Sequence, residues 1–262
     1  YYQQAAINPH SYYGLLALAR KASNDHAMLD VWQQPTLSPA HIAQLKQNPY
    51  GERALALLQI GENDLAVQEL QRVMDVPGLQ DALVAVVDAV QLSLPVERVA
   101  KQAGRYASYP AMPWRPANGF SSDPALVMAI AWNESRFQPM AHSPSGARGI
   151  MQIMPDTAEH MVVGSSGTLW NPQANVTLGD QYIKYLSQMN GIDGNLLLII
   201  AGYNCGPAKV QQLFADVRHG RDPLLFIETM PLKETRDYVQ KVLATYATYR
   251  MRAGKPAGAM AS

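Results

Sequence analysis

The sequence contains a single cysteine, Cys205, among 262 residues. An internal disulfide is therefore excluded as a source of stability, and the redox state of the compartment is left open. The sequence also lacks an excess of charge of either sign, because 21 acidic residues balance 21 basic ones. A chain without a net electrostatic field does not attract a polyanion over long range, so we expect no nucleic-acid partner.

Long apolar runs are lacking as well. None approaches the roughly 18 residues that a membrane-spanning helix needs, so we expect no transmembrane segment. The sequence has no HExxH, no CxxC and no aspartate-rich loop closed by a glutamate. We therefore expect neither a metal ion nor another cofactor.

Helical periodicity is what the sequence does contain. Apolar residues make up 48% of the chain and charged residues 16%, a balance typical of a packed globular protein. Alternating strand patterns are rare, whereas apolar residues recur at helical spacing in most segments. The predicted fold class is mainly α.

The first part of the chain, residues 1–115, predicts short amphipathic helices separated by turn signals. The predicted helices are 11–21, 38–47, 52–59, 62–74, 79–92 and 95–103. Helices of this length joined by tight turns are typical of an α-solenoid or helical linker, and a closed bundle remains an alternative because it needs the same apolar stripes. The chain begins at Tyr1 without an initiator methionine, so we expect that an N-terminal part has been removed.

A proline-dense stretch at residues 109–116 predicts the boundary to a second domain, residues 116–252, followed by a flexible tail at 253–262. In the second domain glycine-containing loops connect the predicted helices. These helices are 123–137, 155–163, 171–189, 195–203, 207–217, 222–229 and 233–252.

A carboxylate lies on an apolar helical stripe in the segment 123–137. Glu134 occupies the i+7 position of a series formed by Val127, Ile130 and Ala131. A carboxylate on a buried face is either paired or holds its proton near neutrality, and a protonated carboxylic acid is what a general acid must be. A structural pairing with Arg136 or Arg148 is the alternative.

The segments that follow contain further candidates for a binding site. The loop 143–149 contains two glycines, which let backbone approach a ligand closely, and it leads to Gln152 between two methionines. Tyr203 and Asn204 end an apolar helix, where an aromatic ring and an amide suit a carbohydrate. Core packing or helix capping would explain each of these residues equally well when it is taken alone.

Four motifs in chain order resemble the catalytic domain of the soluble lytic transglycosylases. They are Ala131-Trp-Asn-Glu-Ser-Arg-Phe137, Gly146-Ala-Arg-Gly-Ile-Met-Gln-Ile-Met-Pro155, Tyr203-Asn-Cys-Gly-Pro207 and Glu234-Thr-Arg-Asp-Tyr-Val239. The departures are Gly202 and Cys205, where alanines are usual, and Met230, where isoleucine is common. Residues 1 to about 116 more weakly resemble the helical linker, with the end of the superhelical ring, of the long periplasmic members.

The resemblance implies a lysozyme-like α domain that cleaves the β-1,4 bond between N-acetylmuramic acid and N-acetylglucosamine in periplasmic peptidoglycan. Glu134 resembles the single acid/base residue of the family. The substrate-binding residues that the motifs imply are Ser135, Ser143, Met151, Gln152, Met154, Tyr203, Asn204, Glu234 and Tyr238. The implied partners are glycan strands, with cell-wall assembly or remodelling proteins as possible protein partners.

The chemistry that the resemblance implies uses one carboxylate in place of the usual two. Glu134 protonates the glycosidic oxygen and then accepts the proton of the C6 hydroxyl of muramic acid, which attacks C1 and closes a 1,6-anhydro ring. Two alternatives remain: a goose-type lysozyme, in which water attacks, and a peptidoglycan-binding module without turnover.

Overall fold

The computed structural model of the chain describes residues 12–14, 37–90, 92, 94, 109–110, 112–215 and 223–253. These residues fall into two compact units. The first contains the described residues up to Pro113 together with those from Arg250 onward, and the second is formed by Trp114–Tyr249. The regular secondary structure of the described residues is helical, with isolated β-bridges in one loop, so the prediction of a mainly α fold is confirmed. The predicted domain limits at 115/116 and 252/253 stay predictions.

The first unit contains α1 (Pro39–Lys46), α2 (Pro49–Gln59), α3 (Asn63–Gln71) and α4 (Gln80–Val90). Helix α1 packs against α2 and α4, and α2 packs against α3. Apolar side chains from all four helices form its core, including Leu45, Ala54, Leu70, Leu83 and Val87. Of the predicted helices at 11–21 and 95–103, only residues 12–14 are described, and these are helical.

The second unit contains seven α-helices among its described residues. They are α5 (Pro124–Ser135), α6 (Pro155–Met161), α7 (Pro172–Gln188), α8 (Leu196–Cys205), α9 (Pro207–Phe214), α10 (Pro223–Thr229) and α11 (Lys233–Arg252). Helix α7 contacts α5, α6 and α8, and α8 also contacts α9 and α10. Helices α7 and α8 thus connect α5, which carries Glu134, with α6, α9 and α10.

Local signals explain where these helices begin. The side chains of Asp123, Asn171 and Asn195 accept hydrogen bonds from the first turns of α5, α7 and α8, as N-caps do. Proline stands in the first turn of both α5 and α7, where its missing N–H has no helical partner to lose.

Helix α5 differs from the expected amphipathic helix. Apolar side chains are buried nearly all around it, because Leu126, Ala129 and Trp132 are enclosed as well as the predicted stripe. Its last residue is followed by Arg136 and Phe137 in the left-handed conformation, with φ of 55° and 62°. Helix α5 is thus a central helix of the unit, and it ends in a sharp reversal just after Glu134.

The start of α5 is joined to α7 by a buried carboxylate. Asp180 is 2% exposed, and its carboxylate accepts hydrogen bonds from both the N–H and the hydroxyl of Ser121 and from the N–H of Ser122 at 2.7–2.9 Å. Asp123, the N-cap of α5, also accepts a hydrogen bond of 2.9 Å from the hydroxyl of Tyr246 on α11. Three helices are therefore fixed relative to one another by polar contacts besides apolar packing.

Candidate active site

Glu134 lies in the last turn of α5 and is partly exposed, as a group that meets a substrate must be. The hydroxyl of Tyr238 on α11 donates a hydrogen bond of 2.5 Å to its Oε1. Burial raises the pKa of Glu134 from 4.5 to about 7, while the Tyr238 hydrogen bond acts in the opposite direction by stabilising the carboxylate. At neutral pH the group is therefore present in both the protonated and the ionised form.

Tyr203 and Tyr238 both lie within electrostatic reach of Glu134. Burial raises the pKa of each hydroxyl well above its usual value, and the charge of Glu134 raises it further. Both hydroxyls therefore keep their protons at neutral pH and act as donors. The hydroxyl of Tyr203 donates to the backbone carbonyl of Met151 at 2.8 Å.

Ser135, the neighbour of Glu134, is buried and faces the loop that follows α5. Its hydroxyl donates to the backbone carbonyl of Ile150 at 2.7 Å. Ser135, which the motifs imply as a substrate-binding residue, thus joins α5 to the loop that carries Gln152.

The loop between α5 and α6 is shaped by its own polar groups. Short β-bridges pair Arg148 with both His142 and Ile153. The Ser143 hydroxyl accepts a hydrogen bond of 3.0 Å from the N–H of Ala147. Gln152 has a left-handed backbone (φ 47°), and its side-chain nitrogen donates to the carbonyls of two loop residues, Ala141 and Gly149, at 3.0 and 2.8 Å.

The two methionines of the loop have different surroundings. The Met151 side chain is fully buried against Gly179 of α7, so it faces the core and not solvent. The contacts of Met151 with the site residues are made by its backbone: its carbonyl accepts from the Tyr203 hydroxyl, and its N–H donates to Asn175. Its assignment to substrate binding stays a prediction. Met154 is 38% exposed and is the methionine that a ligand can reach.

Asn204, in the last turn of α8, and Glu234, in the first turn of α11, lie on two helices that are joined by a hydrogen bond. The hydroxyl of Thr235 donates to the side-chain carbonyl oxygen of Asn204 at 2.8 Å, which fixes the rotamer of the Asn204 amide. Glu234 is exposed in the first turn of α11, one turn before Tyr238. The helix α8 continues to Cys205, so Tyr203 and Asn204 belong to its last turn and do not follow its end.

Three residues near the site were not identified from the sequence. Asn175 on α7 is completely buried and bonded to the loop, and Thr235 orients Asn204. The Tyr182 ring lies 5.4 Å from that of Tyr203, and burial raises its pKa to about 12. Asn175 occupies the buried face of α7 four residues before Gly179, so the signal that identified Glu134, a polar residue on a buried stripe, also applied to Asn175.

The contacts of Arg136 and Arg148 do not favour the alternative in which Glu134 only forms an ion pair with one of these two arginines. The Arg148 guanidinium carbon lies 5.8 Å from the Trp170 ring centre, and that of Arg136 lies 4.7 Å from the Trp132 ring centre. The groups that influence the pKa of Glu134 are instead its buried surroundings and Tyr238. Among the described residues, the fold and this geometry define a helical domain in which Glu134 is a carboxylic acid with a pKa near neutrality.

The comparisons with known proteins agree with this class. Residues 114–225 match the family model of the transglycosylase SLT domain. The soluble lytic murein transglycosylase of Escherichia coli K12 is 38% identical over 143 residues, which cover 52% of this chain and 22% of that protein. Residues 114–225, which contain the first three of the four motifs, therefore carry a transglycosylase SLT domain, and the resemblance to the soluble lytic transglycosylases is confirmed.

Solved structures extend the likeness beyond this domain. The 70-kDa soluble lytic transglycosylase of Escherichia coli matches with a TM-score of 0.73 and 26% identity, covering 100% of this chain and 44% of that one. An inactive glutamate-to-glutamine mutant of lytic transglycosylase Slt from Pseudomonas aeruginosa matches with a TM-score of 0.69 and 27% identity, over 97% of this chain and 43% of that one. The chain thus spans less than half the length of these relatives.

Proposed function

We propose that this chain is a peptidoglycan lytic transglycosylase. It cleaves the β-1,4 bond between N-acetylmuramic acid and N-acetylglucosamine and leaves a 1,6-anhydromuramic end. The observation that carries the proposal is Glu134, a partly exposed carboxylic acid with a pKa of about 7 and a tyrosine hydroxyl 2.5 Å away, in an SLT domain. The names of the relatives as lytic transglycosylases support it.

Glu134 acts first as a general acid. A pKa near the working pH gives a useful fraction of the protonated form and a proton that is readily transferred to the glycosidic oxygen. The bond from C1 to that oxygen breaks, and the oxocarbenium-like centre at C1 is stabilised by the N-acetyl group of the substrate itself. The Tyr238 hydroxyl then stabilises the carboxylate that forms.

Glu134 acts second as a general base. The carboxylate accepts the proton of the C6 hydroxyl of muramic acid while that oxygen attacks C1 and closes the anhydro ring. The enzyme returns to its starting protonation state, and no water is consumed. One residue performs both steps because the proton lost in the first is regained in the second.

Two other carboxylates described near the motifs, Asp180 and Glu159, have structural partners. Asp180 is 2% exposed and accepts three hydrogen bonds from Ser121 and Ser122. The pKa of Glu159 is lowered by hydrogen bonds from the Ser166 side chain and from the backbone N–H groups of Gly164 and Ser166. These contacts support a mechanism with one carboxylate.

The remaining candidates are assigned to substrate binding as part of the same proposal. Met154 offers an exposed apolar contact, and the Asn204 amide, oriented by Thr235, offers a hydrogen bond to a sugar. Glu234 is exposed where a saccharide hydroxyl can reach it. Ser135, Ser143, Gln152 and the Met151 backbone contribute mainly by shaping the loop, and Tyr203 contributes by holding it.

The proposed location is the periplasm, where the glycan strands of peptidoglycan are the substrate and cell-wall assembly or remodelling proteins are possible partners. In the described part of the chain no helix has both the length and the apolar character to cross a membrane. No group of three or more potential metal-ligating side chains occurs in that part either.

The proposal is tested by comparing the wild-type protein with Glu134→Gln on purified peptidoglycan, with released soluble fragments as the readout. The amide keeps the shape of the side chain but has no proton to donate, so the rate should fall on the order of 10²-fold to 10⁴-fold. Glu159→Gln is the matched control, because it makes the same change at a carboxylate of α6 that bonds the backbone N–H groups of Gly164 and Ser166. Equal rates for wild type and Glu134→Gln would overturn the assignment.

A further inference from the structure

Asn175 is a completely buried amide in the second turn of α7 that satisfies three backbone groups outside its own helix. Its nitrogen donates to the carbonyls of Arg148 and Leu169 at 3.0 Å each, and its oxygen accepts from the N–H of Met151 at 2.8 Å. Both hydrogens and the oxygen of the amide are therefore used. The partners belong to the loop before α6 and to the segment before α7.

The backbone of this loop is held from three helices at once. Met151 is bonded at its N–H by Asn175 from α7 and at its carbonyl by the Tyr203 hydroxyl from α8. The preceding carbonyl, that of Ile150, accepts from the hydroxyl of Ser135, which directly follows Glu134 on α5. The position of the loop relative to Glu134 is thus determined by three buried or partly buried side chains.

Two glycines show how closely the loop and α7 approach. A Cβ on Gly149, which has a φ of 76°, would collide with the Asn175 amide and would lie 2.5 Å from the Leu169 carbonyl oxygen. A Cβ on Gly179, one turn after Asn175, would lie 2.6 Å from the Met151 Cγ. From the sequence we expected the glycines of the loop 143–149 to let a ligand approach the backbone. At Gly149 the group that approaches is the side chain of Asn175.

We propose that Asn175 is a positioning residue for glycan binding: it holds residues 148–151 against α7 and so sets where this loop, with Met154, meets the substrate. This role rests on the proposed function. The uncharged amide is needed because one group must donate twice and accept once in a buried place. A carboxylate would present acceptors to two carbonyls. An apolar residue would leave the Met151 N–H and the Leu169 carbonyl without the partner that Asn175 supplies, while the Arg148 carbonyl would keep only the hydrogen bond from the Ile153 N–H.

The test measures kcat, KM and melting temperature for Asn175→Ala with soluble uncrosslinked glycan strands, at a temperature where the variant is fully folded. Glycan affinity is measured in parallel in the Glu134→Gln background, where no turnover occurs. The matched control is Asn171→Ala, which removes an exposed asparagine that caps the same helix and bonds only the N–H of Ala174.

We expect Asn175→Ala to raise KM and weaken glycan affinity, with kcat/KM falling at least about tenfold, since small displacements of binding groups cost up to the order of 10²-fold. Asn171→Ala should lower only the melting temperature. Wild-type KM and affinity in folded Asn175→Ala would overturn the positioning role while leaving the function standing. A wild-type protein that cleaves no glycan would overturn the proposed function, and this role with it.

If Asn175→Ala does not fold, Gly179→Ala keeps the proposal testable. Alanine favours the helix, so α7 itself is not weakened, but its Cβ displaces Met151 and the loop. The expected result is a raised KM and weakened affinity with the fold retained. Unchanged KM and affinity in this variant would overturn the proposal.

Discussion

The raised pKa of Glu134 predicts how the stability of Glu134→Gln depends on pH. In the unfolded chain the carboxyl titrates near 4.5, and in the folded protein near 7, chiefly because burial disfavours its charge. Below pH 4.5 the group is protonated in both states and costs nothing. As pH rises towards 7 the unfolded chain loses the proton first, so folding becomes less favourable, and above 7 the full penalty applies.

The size of this penalty follows from the two pKa values. At 1.36 kcal/mol per pKa unit, the change from 4.5 to about 7 corresponds to about 3 kcal/mol at pH 8. Partial exposure of the side chain screens its charge, so this figure is an upper bound. Glutamine carries no charge and its oxygen can still accept from Tyr238, so the variant escapes the penalty. We expect it to melt up to roughly 10 °C above wild type at pH 8 and together with it near pH 4.5.

The assay is thermal unfolding of both proteins from pH 4.5 to 8. Glu159→Gln serves as a control of opposite sign, because hydrogen bonds from the Ser166 side chain and from the backbone of Gly164 and Ser166 lower the pKa of Glu159. Its charge therefore stabilises the folded protein above its usual pKa. That variant should be less stable than wild type at pH 8, and the difference should fade as pH drops. A difference between Glu134→Gln and wild type that does not change with pH would refute the reasoning.

Three further predictions concern the rate and the domain boundary. Release of soluble fragments from peptidoglycan should slow as pH rises above about 7, because proton donation needs protonated Glu134; a rate that is flat to pH 9 would contradict this. Tyr238→Phe should raise the pKa of Glu134 and move the fall in rate to higher pH, while lowering kcat tenfold or more; an unchanged pH profile and kcat would remove Tyr238 from the site. A fragment starting at Met112 should unfold in one cooperative transition by calorimetry, and a broad, non-cooperative melt would mean that the first part of the chain belongs to the same core.

The parts of the fold that depend on neighbouring residues were predictable from the sequence. The start of α5 at an aspartate–proline pair and of α7 at an asparagine–proline pair follow from capping chemistry, which acts within one turn. The role of Glu134 as a general acid was predicted because burial of an unpaired carboxylate on an apolar stripe costs free energy, so that such a group is either paired or protonated.

The parts that depend on distant residues were not predictable in the same way. The left-handed backbone of Gln152 and the contact of its amide with two loop carbonyls arise from the folded loop, which is held by Asn175 from another helix. The hydrogen bond from Thr235 to Asn204 joins residues 31 positions apart. The burial of Met151 against Gly179 likewise needs the packing of α7 on the loop.

The central claim is tested most directly by the mass of the products formed from purified peptidoglycan in water labelled with heavy oxygen. If Glu134 directs the C6 hydroxyl to C1, each cut leaves a muramic end that lacks one water and contains no labelled oxygen. A goose-type hydrolase would instead place one labelled oxygen at every new reducing end, and a binding module would release nothing. Unlabelled anhydromuramic ends are the result that the account predicts, and labelled reducing ends or intact strands would contradict it.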